Sequence, residues 1–512
     1  MKLALPVLAL AAPSIGRADL SVIDGQGSPF DFEVLLERAR KLAAEPFRPP
    51  AKPAENIIKD IRFDDTQKIK FDPRYSLWDD GSGPFPIRMF HLHKYAPSLV
   101  KLHVVSDGMA REVRYKARMF DYRGTDIGDK LPDDIGFAGF RVMNGPDKES
   151  DWLSFQGASY FRSSGESNQY GLSARALALN TATESKEEFP VFTEFWIEGS
   201  DASPNAVTVY ALLESKSATG AYRFDVMRDK AVVMDVHAEV IVRNDIQTLG
   251  IAPLTSMYWF GENNRRSAVD WRPEVHDNDG LSLWTGAGER IFRPLTNPPH
   301  LQVSTYIDEN PRGFGLVQRD RNFDHYQDDG AFYERRPSVW IEPANDWGKG
   351  AIQLVEIPTN DEIHDNIVAF WKPETPMKSG DTATLDYRLH WRDLQPYPPD
   401  NVAQVIATRV GRAGIPGQER PSARGNRKFV IDFRGGPISE MAPRFDITPV
   451  INPSRGKVTD SYVINVVDTD IWRAVFDVAY EGDEPLDLRC YLRLDDKTLS
   501  ETWLYTHFPI TE

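Results

Sequence analysis

Apolar and polar residues alternate along most of this chain with the period of a strand rather than a helix. Residues 207–213 (V-T-V-Y-A-L-L), 231–242 (A-V-V-M-D-V-H-A-E-V-I-V) and 351–357 (A-I-Q-L-V-E-I) are rich in β-branched side chains and predict strands. From Lys59 to Trp391 such runs follow one another with almost no helical periodicity. A long succession of strands without crossover helices predicts antiparallel sheets, and a large β-sandwich is the architecture that follows. One segment breaks the pattern. Phe32, Leu35, Leu36, Ala39 and Leu42 recur at helical spacing within 30–44. Asp31 and Glu33 sit where the helix dipole favours acids, and Pro46, Pro49, Pro50 and Pro53 end the segment. It predicts a helix docked on the sandwich.

Beyond this region, H-W-R-D-L-Q-P-Y-P-P-D (390–400) carries three prolines and reads as a linker. Strand-like runs resume at 427–433, 461–467, 472–478 and 486–494. Roughly six or seven strands in about a hundred residues predict an immunoglobulin-like sandwich. Residues 409–428 are rich in Gly, Pro and Arg, so they form either a surface loop or a lid that lends Arg side chains to a site. At the start, Lys2 precedes a short apolar run and Gly16-Arg17-Ala18, the order of an export signal. The expected divisions are a signal at 1–19, a large sandwich at 20–394 and a smaller one at 395–512.

Composition narrows the function classes. Net charge is −16, which argues against nucleic acid or an anionic membrane surface as partner. The single cysteine, Cys490, excludes an internal disulfide and a Cys-rich metal site. No stretch is long and apolar enough to predict membrane insertion. Aromatic residues make up 11% of the chain, with 12 Trp, a composition shared by sugar-binding proteins and β-sandwich cores.

The candidate chemistry concentrates in W-R-P-E-V-H-D-N-D-G (271–280). Glu274, His276, Asp277 and Asp279 lie there, flanked by Trp271 and Trp284. Carboxyl groups beside indole rings suit a carbohydrate site, where acids and bases move protons and flat faces stack on sugar rings. Asp-Asn-Asp-Gly is equally the composition of a polar turn. Tyr258, Trp259, Trp271 and Trp284 are either stacking platforms or core residues. Arg319 and Arg321, in Q-R-D-R, either hold carboxylates and sugar hydroxyls or pair structurally with Asp320 or Glu342. H-x-D-x-D-G is similar to calcium loops, but the closing Glu of the full pattern is missing, so neither metal nor cofactor is expected.

A set of longer blocks gives these residues a context. They are L-S-F-Q-G-A-S-Y-F-R at Leu153, Y-G-L-S-A-R at Tyr170, T-G-A-Y-R-F at Thr219 and L-G-I-A-P-L-T-S-M at Leu249. They continue with R-P-E-V-H-D-N-D-G at Arg272, N-P-R-G-F-G-L at Asn310, E-I-P-T at Glu356, D-N-I-V-A-F-W at Asp365 and E-T-W-L-Y at Glu501. Over nearly its whole length the chain resembles the osmoregulated periplasmic glucan biosynthesis proteins of the G/D type. The resemblance implies a galactose-mutarotase-like β-sandwich followed by an immunoglobulin-like domain, a periplasmic location and a role in making β-1,2-linked glucans. Some members resemble inverting glycoside hydrolases that cut β-1,2-glucan internally, and related members transfer the cleaved chain. Carried over by motif, Asp365 is the general acid and Asp277 the general base.

Inverting cleavage requires Asp365 to keep its proton, although a free Asp titrates near about 3.9. Phe370 and Trp371 are candidates for an apolar setting, and Asp361 or Glu362 for a neighbouring negative charge. Asp277 must stay ionised, with His276, Arg272 or the amide of Asn278 as stabilisers. Glu274, Arg272, His276 and Trp371 thus join the candidate substrate-binding set. The partners implied are β-1,2-glucan chains and the membrane glucosyltransferase that makes them. The alternative is a non-catalytic scaffold that presents glucan to that transferase.

Overall fold

A computed structural model describes residues 22–509, apart from 24, 80–84, 200–202, 204, 266–267, 400, 416, 418 and 420–424. The expected export signal lies outside the described residues. Strands account for 47% of the chain and helices for 9%, as the alternating pattern predicts.

Two sheets dominate, one of sixteen strands and one of ten. The long hairpins of the larger sheet are Val191–Gly199, Ala206–Glu214, Ala218–Arg228, Val232–Val242 and Thr382–Arg392, side by side. The smaller sheet includes Gln302–Glu309, Lys349–Glu356, Ile367–Pro373 and Leu249–Ser256 in that order. One apolar cluster fills the space between the sheets. Phe155 of the smaller sheet meets Phe224 of the larger edge to face, with ring centres 5.1 Å apart. Burial of such aromatic faces is the main favourable term holding the layers together. An ion pair also crosses the layers: Arg293 Nη2 donates to Glu356 Oε2 at 2.8 Å, both side chains buried. Glu356 accepts two further bonds, from the amide and hydroxyl of Thr296, at 2.7 and 2.9 Å.

The predicted helix spans Phe32–Ala43, capped by Asp31, which accepts from the Val34 amide at 2.8 Å. Leu35, Leu36 and Ala39 pack with Trp196, Tyr210 and Leu212 on a separate face of the large sheet.

Three features depart from the sequence pattern. The sheets are mostly antiparallel, but Val191–Gly199 runs parallel to Lys101–Ser106, and Arg290–Pro294 runs parallel to Thr502–His507. The second pairing is what carries the large sheet into the C-terminal region, so the sixteen strands pass through both halves of the chain. Residues 390–392 belong to the strand Thr382–Arg392 rather than to a linker, because Trp391 is fully buried and pairs with both Val232 and Val339. The C-terminal strands build a second apolar cluster, which also takes in Phe292 and Val317 from the preceding region. Phe429, Phe476 and Trp503 pack together between a four-stranded sheet and the end of the large one.

Candidate active site

One short stretch of backbone, Ser256 to Tyr258, anchors both predicted catalytic carboxyls. The strand Val275–His276 pairs with Tyr258–Phe260, and the Asp277 amide donates to the Met257 carbonyl at 2.9 Å. Next to it, Ser256 Oγ donates to Asn278 Oδ1 at 2.7 Å, and Asn278 Nδ2 reaches the Pro337 carbonyl at 3.2 Å. Asn366 clips the other side. It accepts from the Tyr258 amide at 2.8 Å and donates to the Tyr258 and Ile357 carbonyls at 3.0 and 2.9 Å. Asp365, the residue before it, is therefore held beside the same strand as Asp277. Gly280 closes the motif because a Cβ there would lie 2.3 Å from the Phe292 ring.

The two carboxyls sense one another. Asp365 keeps contact with solvent, yet the groups around it desolvate its carboxyl and, with the negative charge of Asp277, push it up to about 6. Arg162, Arg336 and Arg175 pull the other way. Asp277 is buried, which raises its pKa, and a direct ion pair with Arg336 Nη1 works against that rise. The negative charge that raises Asp365 is that of an ionised Asp277. Burial thus raises both carboxyls, and a direct ion pair with Arg336 opposes the rise at Asp277.

Arg336 is itself positioned by its neighbours. Its guanidinium carbon lies 4.1 Å from the centre of the Tyr333 ring. Its carbonyl accepts from Arg321 Nη1 at 2.7 Å, and Arg321 also binds the carbonyls of Glu334 and Asp393. Arg321 therefore builds the backbone of the site rather than facing outward. Arg272 is ion-paired with Asp270, Asp328 and Glu362 at 2.7 to 2.9 Å, and Glu362 also accepts from the Tyr333 hydroxyl. His276 stacks on Tyr258, ring centres 5.2 Å apart, with Nε2 3.1 Å from Glu274 Oε2.

The remaining candidates divide by location. Trp271 is 72% exposed, the only one of the proposed platforms with open faces of that size. Tyr258 and Trp259 are buried. Trp371 is fully buried in the main core, beside Ile251 and Ile352, and so contributes packing rather than a stacking surface. Trp284 lies between two guanidinium groups, Arg290 at 3.4 Å and Arg312 at 5.4 Å from its ring centre. Arg319 is bound to Glu501, Nη1 to Oε2 at 2.8 Å and Nη2 to Oε1 at 3.0 Å. Its partner is neither Asp320 nor Glu342, and the pair ties the segment after Gln318 to the C-terminal strand. Within 409–428, Arg409 does reach the large sandwich, with Nε 3.0 Å from Glu262 Oε2; the middle of that stretch falls outside the described residues.

Sequence reasoning missed Arg336, Arg162, Arg175 and Tyr333. A signal existed for two of them, since Arg162 and Arg175 close the blocks L-S-F-Q-G-A-S-Y-F-R and Y-G-L-S-A-R. Arg336 has no such block around it.

Residues 30–507 match the family described as "Periplasmic glucan biosynthesis protein, MdoG". The chain belongs to that family. Among its relatives, glucans biosynthesis protein D 2 of Ralstonia nicotianae is 49% identical over 95% of this chain and 92% of its own. Glucans biosynthesis protein D of Xanthomonas oryzae pv. oryzae is 45% identical over 99% and 95%. Its namesake in Stenotrophomonas maltophilia is 45% identical over 98% and 94%. Among the described residues of this MdoG-family chain, no helix is long and apolar enough to cross a membrane.

Proposed function

We propose that this protein acts in the periplasm on β-1,2-glucan chains, cleaving them internally with inversion. Asp365 is the general acid and protonates the leaving glycosidic oxygen. Asp277 is the general base and takes a proton from the attacking water or sugar hydroxyl on the opposite face of the ring. The observation that carries this reading is the pair itself: two carboxyls anchored to one strand, the acid raised to about 6 by its surroundings and by the charge of the base. Arg336 supports the ionised form of Asp277. Trp271 is the exposed indole available for stacking on a sugar ring.

The test is incubation of the purified protein with linear β-1,2-glucan, following chain length and the anomeric form of early products. Shortening with inverted anomers supports hydrolysis, and redistribution of chain lengths supports transfer. Asp365→Asn is expected to lower the rate by about 10²–10⁴-fold. A wild-type protein that leaves the polymer intact while still binding it would replace this reading with that of a scaffold.

A further inference from the structure

The stretch 409–428 carries five Arg and one Lys against a single acid, Glu419, and the structure places both of its ends on one cavity. The cavity lies between the turn after Tyr258–Phe260 and the strands Gln404–Arg412, Asn426–Arg434 and Thr502–His507, and holds about 410 Å³. Small-molecule sites span roughly 300–1,000 Å³. Arg265, Arg412 and Arg427 line it, and no Asp or Glu does among the described residues. Arg412 and Arg427 are direct partners in the strand register, so their side chains share one face of the sheet. Like charges placed directly opposite repel, and Arg427 is only 6% exposed, so water screens the pair poorly. The acids of these strands are held by other cations: Asp432 by Arg409 and Arg473, Asp477 by Lys428. Arg265 and Arg412 form no ion pair among the described residues. A second observation asks for a hydroxyl. Asn264, 8% exposed, also lines the cavity; its Nδ2 donates to the Asn297 carbonyl at 3.1 Å, while its Oδ1 is an acceptor without a partner. Tyr505 and Phe508 add aromatic surface to the wall, which suits the apolar face of a sugar ring.

We propose that this cavity binds a sugar carrying an oxyanion, a phosphate or a carboxylate. The oxyanion bridges Arg412 and Arg427, a charge-assisted contact that turns their mutual repulsion into shared attraction. A hydroxyl of the sugar donates to Asn264 Oδ1. Asp277, Asp365 and Arg336 are not in the wall, so the site does not depend on the proposed cleavage of glucan.

The full chain is titrated by calorimetry at low ionic strength, separately with glucose 6-phosphate, glucuronate, glucose and inorganic phosphate. One glucose 6-phosphate or glucuronate per chain is expected, at least about tenfold tighter than glucose or inorganic phosphate. The tighter of the two sugar anions names the oxyanion. Arg412→Gln should weaken that binding at least about tenfold, and Asn264→Ala roughly 2–10-fold. Arg412 is exposed, and R412Q removes one of two facing charges, so the ligand-free variant should melt no lower than wild type. A lower melting temperature in ligand-free R412Q overturns the repulsion on which the site rests. Glucose bound as tightly as either sugar anion, equal affinity in wild type and R412Q, or no saturable binding overturns the site itself. Inorganic phosphate bound as tightly as glucose 6-phosphate overturns the role of the sugar.

Discussion

Replacing Arg336 by Gln separates the part of this site that is electrostatic from the part that is only packing. The side chains of Arg336 and Asp277 are 17% and 6% exposed. Removing one member of a fully buried ion pair costs about 3–5 kcal/mol, chiefly because the other charge is left uncompensated. Water reaches part of Arg336, so the expected loss is about 2–3 kcal/mol near neutral pH. The sign with pH is distinctive. Burial already raises Asp277 above its ordinary value, and without Arg336 it rises further. A raised acid is penalised when ionised, so the deficit is full above the folded-state value and shrinks as pH falls through it. Urea midpoints for wild type, R336Q, D277N and D277N/R336Q at acidic and slightly alkaline pH measure this as a double-mutant cycle. R336Q should be weakest at the alkaline pH, and adding D277N should recover most of the loss. In the pH–rate profile on β-1,2-glucan, the acid limb should move to higher pH in R336Q and stay nearer wild type in R336K. A deficit independent of pH, with no rescue by D277N, would refute the reasoning and leave Arg336 as a packing residue.

Other outcomes follow from the same geometry. Asp365 is pushed up to about 6 and must be protonated to act, so glucan cleavage should fall about tenfold per pH unit on the alkaline side of the profile, and a flat profile from pH 5 to 8 would exclude it as the acid. Asn366→Ala orphans the amide and carbonyl of Tyr258 and the Ile357 carbonyl; about 1–3 kcal/mol of stability should be lost, and kcat should drop more than KM rises because Asp365 loses its anchor. Trp271→Ala should raise KM roughly 2–10-fold with an unchanged melting temperature, the loss of one stacked ring. Trp371→Ala should instead cost about 3–5 kcal/mol of stability, since that indole is fully buried; equal effects of the two on KM would contradict their different placements.

The sequence by itself determined the all-β class, the docked helix and the strands, because side-chain alternation and helical spacing are local properties that burial then obeys. Residues 207–213 and 231–242 became Ala206–Glu214 and Val232–Val242, and Asp31 caps the helix as its position implies. The family resemblance carried by R-P-E-V-H-D-N-D-G and D-N-I-V-A-F-W is what singled out Asp277 and Asp365 as acid and base candidates, and the structure shows their neighbours Asn278 and Asn366 bonded to Ser256 and Tyr258. Everything that depends on partners distant in the chain was decided only by the fold. The charge beside Asp365 is Asp277 rather than Asp361 or Glu362, and the cation beside Asp277 is Arg336 rather than Arg272. Trp371 and Trp271 read alike as indoles near acids, yet one lies inside the core and the other faces water. The parallel pairing of Arg290–Pro294 with Thr502–His507, which joins the two halves into one sheet, leaves no trace in the local pattern. Hydrogen bonds and ion pairs between segments cost nothing in local periodicity, so a linear reading sees the groups but not which of them meet.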